Sequence, residues 1–196
     1  MEDAAQGGLE GLTKLRKRRQ ARGVSREELG RAKQSAEQMG RLGEEILNAW
    51  LETERQAGRV SNYRWDSDIN AVAPYDFTVL DGETVSRRID AKSTAGDFRN
   101  PIHASFSELE EMAHGGLRYD LYRLYSVNET TARLRIAHDM GEFATQILEP
   151  FISLPVGITV DGVSIKPEVL TFGKEVVIDL SAGDNGGLES DDLLES

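Results

Sequence analysis

The residue types and spacings that can do chemistry lie in one stretch of the chain, Glu44, Asp76, Asp90 and Lys92. Ile89-Asp90-Ala91-Lys92 closes a β-prone run that starts at Thr84, and alternation along a strand puts Asp90 and Lys92 on one face. By itself the triplet says little. In a chain with 34 acidic residues and six lysines, about one acid-x-Lys triplet arises by chance. Asp76 adds context, because it follows Pro74-Tyr75 and opens the preceding run, where a carboxylate is unfavourable unless something requires it. Gly40-Arg41-Leu42-Gly43-Glu44-Glu45 puts a further acid on a segment whose other face is apolar.

Three carboxylates and a lysine meeting at a sheet edge have the chemistry of a metal-dependent phosphodiesterase. In this reading Asp76 and Asp90 hold Mg²⁺, or Mn²⁺ in its place, and Glu44 orients a metal-bound water or joins the coordination. Lys92 orients the attacking water or offsets charge growing on the phosphate. Such a site needs neither thiol nor imidazole. The chain has no Cys, and its three His lie far apart. The plainer alternative makes Asp90 and Lys92 a pair on an exposed strand and Asp76 a turn cap.

The site makes a demand on strand register. A tight two-residue loop at Asp81-Gly82 sends Asp76 and Asp90 to opposite faces. A three-residue loop, Asp81-Gly82-Glu83, pairs 76 with 88 and unites Asp76, Asp90 and Lys92 on one face, and this is the expectation.

The elements that must position these residues follow from hydrophobic period. Met39, Leu42, Ile46, Ala49 and Trp50 recur at helical spacing between about residues 35 and 57. Residues 60–72 read as a strand and loop, 75–80 and 84–92 as paired strands, and 119–127 and 132–137 as two more. Ser105 and Glu108 read as the cap of a short helix ended by Gly115-Gly116. Beyond Pro150, two β-prone runs suggest hairpins in an appendage. Domain organisation is therefore expected as a basic arm (1–34), a catalytic domain (35–140), a β-hairpin appendage (141–180) and a disordered acidic tail (181–196). Three further candidates have bland readings: Arg87-Arg88 as solvated edge-strand cations, Tyr63-Arg64-Trp65 as core packing rather than base stacking, and His103 as structural.

The 196 residues, 39% apolar and 29% charged, suit one compact domain with tails. The net charge of −11 hides segregation: residues 14–33 hold nine basic and two acidic side chains. Lys14, Arg16, Lys17, Arg18, Arg19 and Arg22 are dense enough to hold phosphates, or they form a solvated arm. Ser25 and Glu28 resemble a capping box that opens a helix. No run approaches the roughly 20 apolar residues of a membrane span, and the N-terminus is acidic, so a cytoplasmic protein without membrane contact is expected.

The order Gly-x-x-x-Glu on a helix, Asp, then Asp-x-Lys on successive strands resembles the PD-(D/E)XK nuclease superfamily. Five blocks resemble, more narrowly, the DUF3883 family of domains named for the plant protein NO VEIN. They are Gly43-Glu44-Glu45, Ala73-Pro74-Tyr75-Asp76, Ile89 to Thr94, Ser105 to Leu109 and Tyr119 to Tyr125, within residues 36–140. The resemblance implies an α/β fold of restriction-endonuclease type, a mixed central sheet flanked by helices. It also implies nucleic-acid cleavage, beside helicase or restriction and defence components. Carried over by position, Glu44, Asp76, Asp90 and Lys92 take the catalytic places. Asp90 stands where the narrower family usually has Glu. Two functions stay open: a Mg²⁺-dependent endonuclease acting on DNA, alone, as a homodimer or with a partner subunit, and a non-catalytic nucleic-acid-binding or assembly module of the same fold.

Overall fold

The computed structural model describes residues 26–128 and 130–180, with side chains from residue 34 onward. The basic residues Lys14, Arg16, Lys17, Arg18, Arg19 and Arg22, the Ser25 cap and the acidic tail lie outside the described residues. The chain divides into two units, Met1–Gln38 and Met39–Ser196. Of the first, only the opening of helix α1 (Arg26–Gln56) is described.

The second unit is a mixed α/β domain built on a six-stranded sheet in the order β1 (Asn62–Trp65), β2 (Phe77–Asp81), β3 (Thr84–Ser93), β5 (Arg118–Tyr125), β6 (Thr131–Ala137), β8 (Val176–Asp179). The β3–β5 pair is parallel and all others are antiparallel. A parallel pair needs a crossover. Here it runs through β4 (Ile102–Ser105) and α3 (Phe106–His114). The C-terminal part of α1 is helical because its apolar side chains fall on one stripe, and Ile46, Leu47 and Leu51 are buried from it. They pack with Phe77, Val79, Ile89, Tyr122 and Leu124. A second core gathers Leu109 and Met112 of α3, Ala144 and Leu148 of α4 (Gly141–Leu148), and Tyr119 and Leu121. Strand β5 therefore feeds both cores, and seven of its eight residues are buried, as befits a strand covered on both faces.

The β-prone runs after Pro150 do not form the hairpins expected of them. β7 (Gly162–Ile165) pairs with β4 in a separate two-stranded sheet, and β8 extends the main sheet beside β6. Chain-local turn signals can announce a strand, but they do not say which partner it finds. Helix α4, β4 and the single-turn helix α2 (Asp66–Ile69) have too few periodic residues to stand out in the sequence. Among the described residues no helix is long and apolar enough to cross a membrane.

Candidate active site

The hairpin β2–β3 decides whether a site exists. Its turn is Gly82-Glu83, with Gly82 at φ +62° and Asp81 opposite Thr84, so the loop has two residues and not the expected three. Continued unbroken, that register sets position 76 opposite 89 and sends Asp76 and Asp90 to opposite faces. A β-bulge intervenes. Leu80 pairs with Val85 but Val79 pairs with Arg87, leaving Ser86 as the extra residue. The Ser86 hydroxyl donates to the Val79 carbonyl at 3.1 Å. Beyond the bulge Thr78 faces Arg88 and Phe77 faces Ile89, so the register carried one residue past β2 brings Asp76 to the side of Asp90 rather than Arg88. The shared face is thus reached through a different device from the longer loop.

Asp76 is fixed in place by its own backbone. Its N–H donates to the Ile89 carbonyl at 2.9 Å, and its carbonyl accepts from Asp66 N at 2.7 Å and Ser67 N at 3.2 Å. The carboxylate caps the strand: Ala91 N–H donates to Asp76 Oδ2 at 2.7 Å. Two cross-ties hold the turn before it. The Tyr119 hydroxyl donates to the Pro74 carbonyl at 2.6 Å, and the Arg88 guanidinium lies 4.3 Å from the centre of the Tyr75 ring while pairing with Glu111. Arg88 is therefore consumed internally, on a strand flanked by neighbours on both sides and not at an edge.

Asp90 is buried, at 2% exposure. Lys92 Nζ lies 3.0 Å from Asp90 Oδ2 and donates to Glu108 Oε1 at 2.9 Å. The Asp90 contact is an ion pair off the line a hydrogen bond needs, and Asp90 Oδ2 has no hydrogen-bond partner among the described residues. Glu108 reaches the lysine from the first turn of α3, where it also completes a capping box with Ser105. That cap was legible in sequence; its second contact was not.

Glu44 comes from α1, and Gly43 is what lets the helix approach. A Cβ at position 43 would lie 2.4 Å from Ser93 Cβ, so only glycine fits against β3 there. Ser93 Oγ in turn donates to the Met39 carbonyl at 2.7 Å. Glu44 Oε2 accepts from Trp65 Nε1 at 3.0 Å and from Ser67 Oγ at 2.7 Å. It is thereby tied to the same α2 turn that binds the Asp76 carbonyl.

Burial raises the Asp76 pKa to about 6, with the Glu44 charge adding to it, against the Ala91 N–H, Lys92 and a hydrogen bond to Asp90. Asp90 is pushed well above the usual carboxylate range by burial, with Glu108 and Asp76 adding to that and Lys92 opposing. Desolvation works against the Lys92 ammonium, but Asp90 and Glu108 outweigh it and hold its pKa above the ordinary value. One ammonium thus lies within 3.0 Å of two carboxyl groups, Asp90 and Glu108, and its charge also reaches Asp76.

Among the described residues no three acidic or histidine side chains stand close enough to form a ready metal cage. Glu44, expected as a possible third ligand, influences Asp76 by its charge but is committed to Trp65 and Ser67. What remains is a pair of buried carboxyls with one orphaned oxygen. That donor set fits Mg²⁺ or Mn²⁺, which take one or two carboxylates and fill the shell with water and phosphate oxygens.

The aromatic candidates fall where their bland reading puts them, whereas Arg87 and Arg88, expected as solvated cations on an edge strand, are largely shielded on the interior strand β3. Tyr63 and Trp65 pack on Phe77, with ring centres 6.4 and 5.6 Å apart, and Arg64 pairs with Asp66 at 2.6 Å. Arg87 lies 3.8 Å from buried Asp120. His103 points outward from β4 and is exposed. Two positioning residues escaped the sequence reading. Tyr119 is one; the other is Arg123, buried at 2%, which donates to the Lys92 carbonyl at 3.2 Å and the Asn100 carbonyl at 2.9 Å. Burial without a carboxylate partner draws its pKa down to about 10. An arginine set between Leu121-Tyr122 and Leu124-Tyr125 was the available signal.

Fold and site together define a mixed α/β domain that gathers buried acids and one lysine where β2 begins beside β3. Residues 43–137, just under half of the chain, match the model of the family described as Protein NO VEIN, C-terminal. The matched span begins at Gly43 and runs to the end of β6, so it takes in Glu44, Asp76, Asp90, Lys92 and Glu108. No curated protein and no solved structure gives a significant match.

Proposed function

We propose that the domain is a metal-dependent nuclease of PD-(D/E)XK type that hydrolyses phosphodiester bonds of DNA. The observation that carries this reading is the bulged register that brings Asp76 to the side of Asp90, with Asp90 Oδ2 buried and without a hydrogen bond beside the Lys92 ammonium. Buried acids that outnumber the one cation beside them are costly in a purely structural role, and perturbed carboxyl groups of this kind concentrate at functional sites. Asp76 and Asp90 would hold Mg²⁺ or Mn²⁺, which supplies Lewis acidity toward the phosphate and an acidified water. The Ala91 N–H keeps Asp76 aimed at the site, and Glu44 keeps the α2 turn in place through Trp65 and Ser67. Lys92 offers its ammonium to the negative charge that grows on the phosphoryl oxygens as water adds to phosphorus and the ester oxygen departs.

The acidic domain surface implies that DNA is held in part by the basic segment 14–33, by a second copy, or by a partner subunit such as a helicase or a restriction component. The rival reading, a binding or assembly module that does not cut, draws on the lack of a ready three-acid cage among the described residues. Incubation of the full chain with supercoiled plasmid and branched DNA in Mg²⁺ or Mn²⁺ separates the two. Cutting that chelator abolishes and that Asp90→Ala and Lys92→Ala each remove supports the nuclease. Binding without cutting of any substrate overturns it in favour of the module.

A further inference from the structure

Glu108 does more than its place in the helix requires. A capping box uses one side-chain oxygen at the third helical position, and Gln serves there as well as Glu. Glu108 Oε2 fills that role, accepting from Ser105 N at 2.8 Å, while Glu108 N donates to Ser105 Oγ at 3.2 Å. Its other oxygen, Oε1, accepts from Lys92 Nζ at 2.9 Å. Only that second contact calls for a carboxylate. Both partners are largely shielded, with side-chain exposures of 19% and 17%, so the pair is stronger than a surface bridge. The tether is also rigid. Leu109 and Met112 anchor α3 in the core, and Ser105 is held in β4 by pairing with Gly162 of β7.

Asp90 draws Lys92 by charge but does not orient it as Glu108 does, because the 3.0 Å contact to Oδ2 lacks hydrogen-bond geometry. If Asp90 is to serve a cation, Lys92 needs another anchor, or it would either compete for that oxygen or leave the site. We propose that Glu108 is the positioning residue for Lys92: it fixes the ammonium through the α3 cap, independently of Asp90, and so leaves Asp90 Oδ2 open to a divalent cation. This rests on the nuclease reading for its purpose but not for its test.

Reductive methylation of the full chain in the absence of metal, with modification of Lys92 followed by mass spectrometry, reads the tether directly. Glu108→Gln keeps the capping box and removes the carboxylate, and Lys92 modification should rise about tenfold, the loss of one charge-assisted hydrogen bond. Ser105→Ala weakens the cap but leaves Oε1 in reach, so Lys92 modification should stay within about twofold while the melting temperature falls. Asp90→Asn should likewise leave Lys92 protected, and this variant decides the matter even if Glu108→Gln does not fold. Unchanged Lys92 modification in Glu108→Gln, or release of Lys92 by Asp90→Asn, overturns the proposal. Where the wild-type chain cuts DNA, Glu108→Gln should lower kcat with KM within about twofold, unlike a loss of substrate binding. A wild-type chain that never cuts, with the labelling contrast intact, sinks the nuclease reading and leaves the tether standing.

Discussion

Asp76 carries the clearest residue-scale consequence. Its pKa is raised by burial to about 6, above the value near 4 it has in an unfolded chain. Between those values the native state binds more protons than the unfolded one, so metal-free stability falls as pH rises through roughly 4 to 6. A difference of that size corresponds to at most about 3 kcal/mol. Urea unfolding in chelator at a series of pH values should show the decline, and Asp76→Asn should flatten it; a stability that climbs over this window contradicts the assignment. Asp90 leads to a paired prediction. Asp90→Asn removes a buried charge and should raise the metal-free melting temperature at neutral pH by a few degrees while abolishing metal-dependent cutting. Calorimetry and the plasmid assay read the two effects, and a destabilised Asp90→Asn protein contradicts the idea that Lys92, shared with Glu108, leaves this acid under-compensated. At this scale Asp76, Asp90 and Lys92 were legible because an acid opening a strand and an acid-x-Lys triplet closing the next are visible locally. The Glu108 tie to Lys92 was hidden, since the capping box fully accounted for Glu108, and the Glu44 bond to Trp65 joins residues 21 apart.

At the scale of elements, the site depends on one extra residue in β3. Deleting Ser86 removes the bulge and turns Asp90 away from Asp76, so the protein should lose metal-dependent cutting. Deleting Ser86 while adding one glycine to the Gly82-Glu83 turn restores the count between Asp81 and Arg87, so activity should return with the three-residue loop anticipated from the sequence. If the compensated chain stays inactive although it melts like the wild type, parity is not what the bulge provides. The expected loop and the observed bulge solve the same problem, and the sequence specified the parity without specifying where the extra residue sits. Gly43 is the other element-scale constraint. Gly43→Ala puts a methyl group against Ser93 Cβ and Oγ, forcing α1 off β3 at a cost of about 1–3 kcal/mol in urea unfolding, part of which Ser93→Gly should recover. A fully stable Gly43→Ala protein would show that the helix moves freely there. The long helix and the central strands were readable from their periods, whereas β4, α4 and the partners of β7 and β8 were not, because short segments gain their structure from distant neighbours.

Over the whole molecule, charge poses the remaining problem for the proposed nuclease, because it would have to attract a polyanion and this chain is −11. Most arginines among the described residues of the domain are paired with acids. Arg41 pairs with Glu45 and Asp68, Arg59 with Glu54, Arg118 with Asp120, and Arg133 with Glu175. Cations so engaged offer little to phosphates. The burden falls on Lys14, Arg16, Lys17, Arg18, Arg19 and Arg22, whose density was evident in the sequence and which lie outside the described residues. Each phosphate neutralised releases condensed counterions, so the logarithm of affinity falls with the logarithm of salt in proportion to the number of contacts. Replacing these six residues with Gln in the full chain should weaken duplex binding at low salt by at least tenfold and reduce the salt slope by up to about 5. Fluorescence anisotropy over a KCl series reads both quantities. Circular dichroism and thermal melting of the variant check that a loss of affinity is not a loss of fold. An affinity and slope equal to those of the wild type would move the DNA-holding role to a second copy or a partner subunit, and the dependence of binding on protein concentration would then tell a homodimer from a chain that needs another protein.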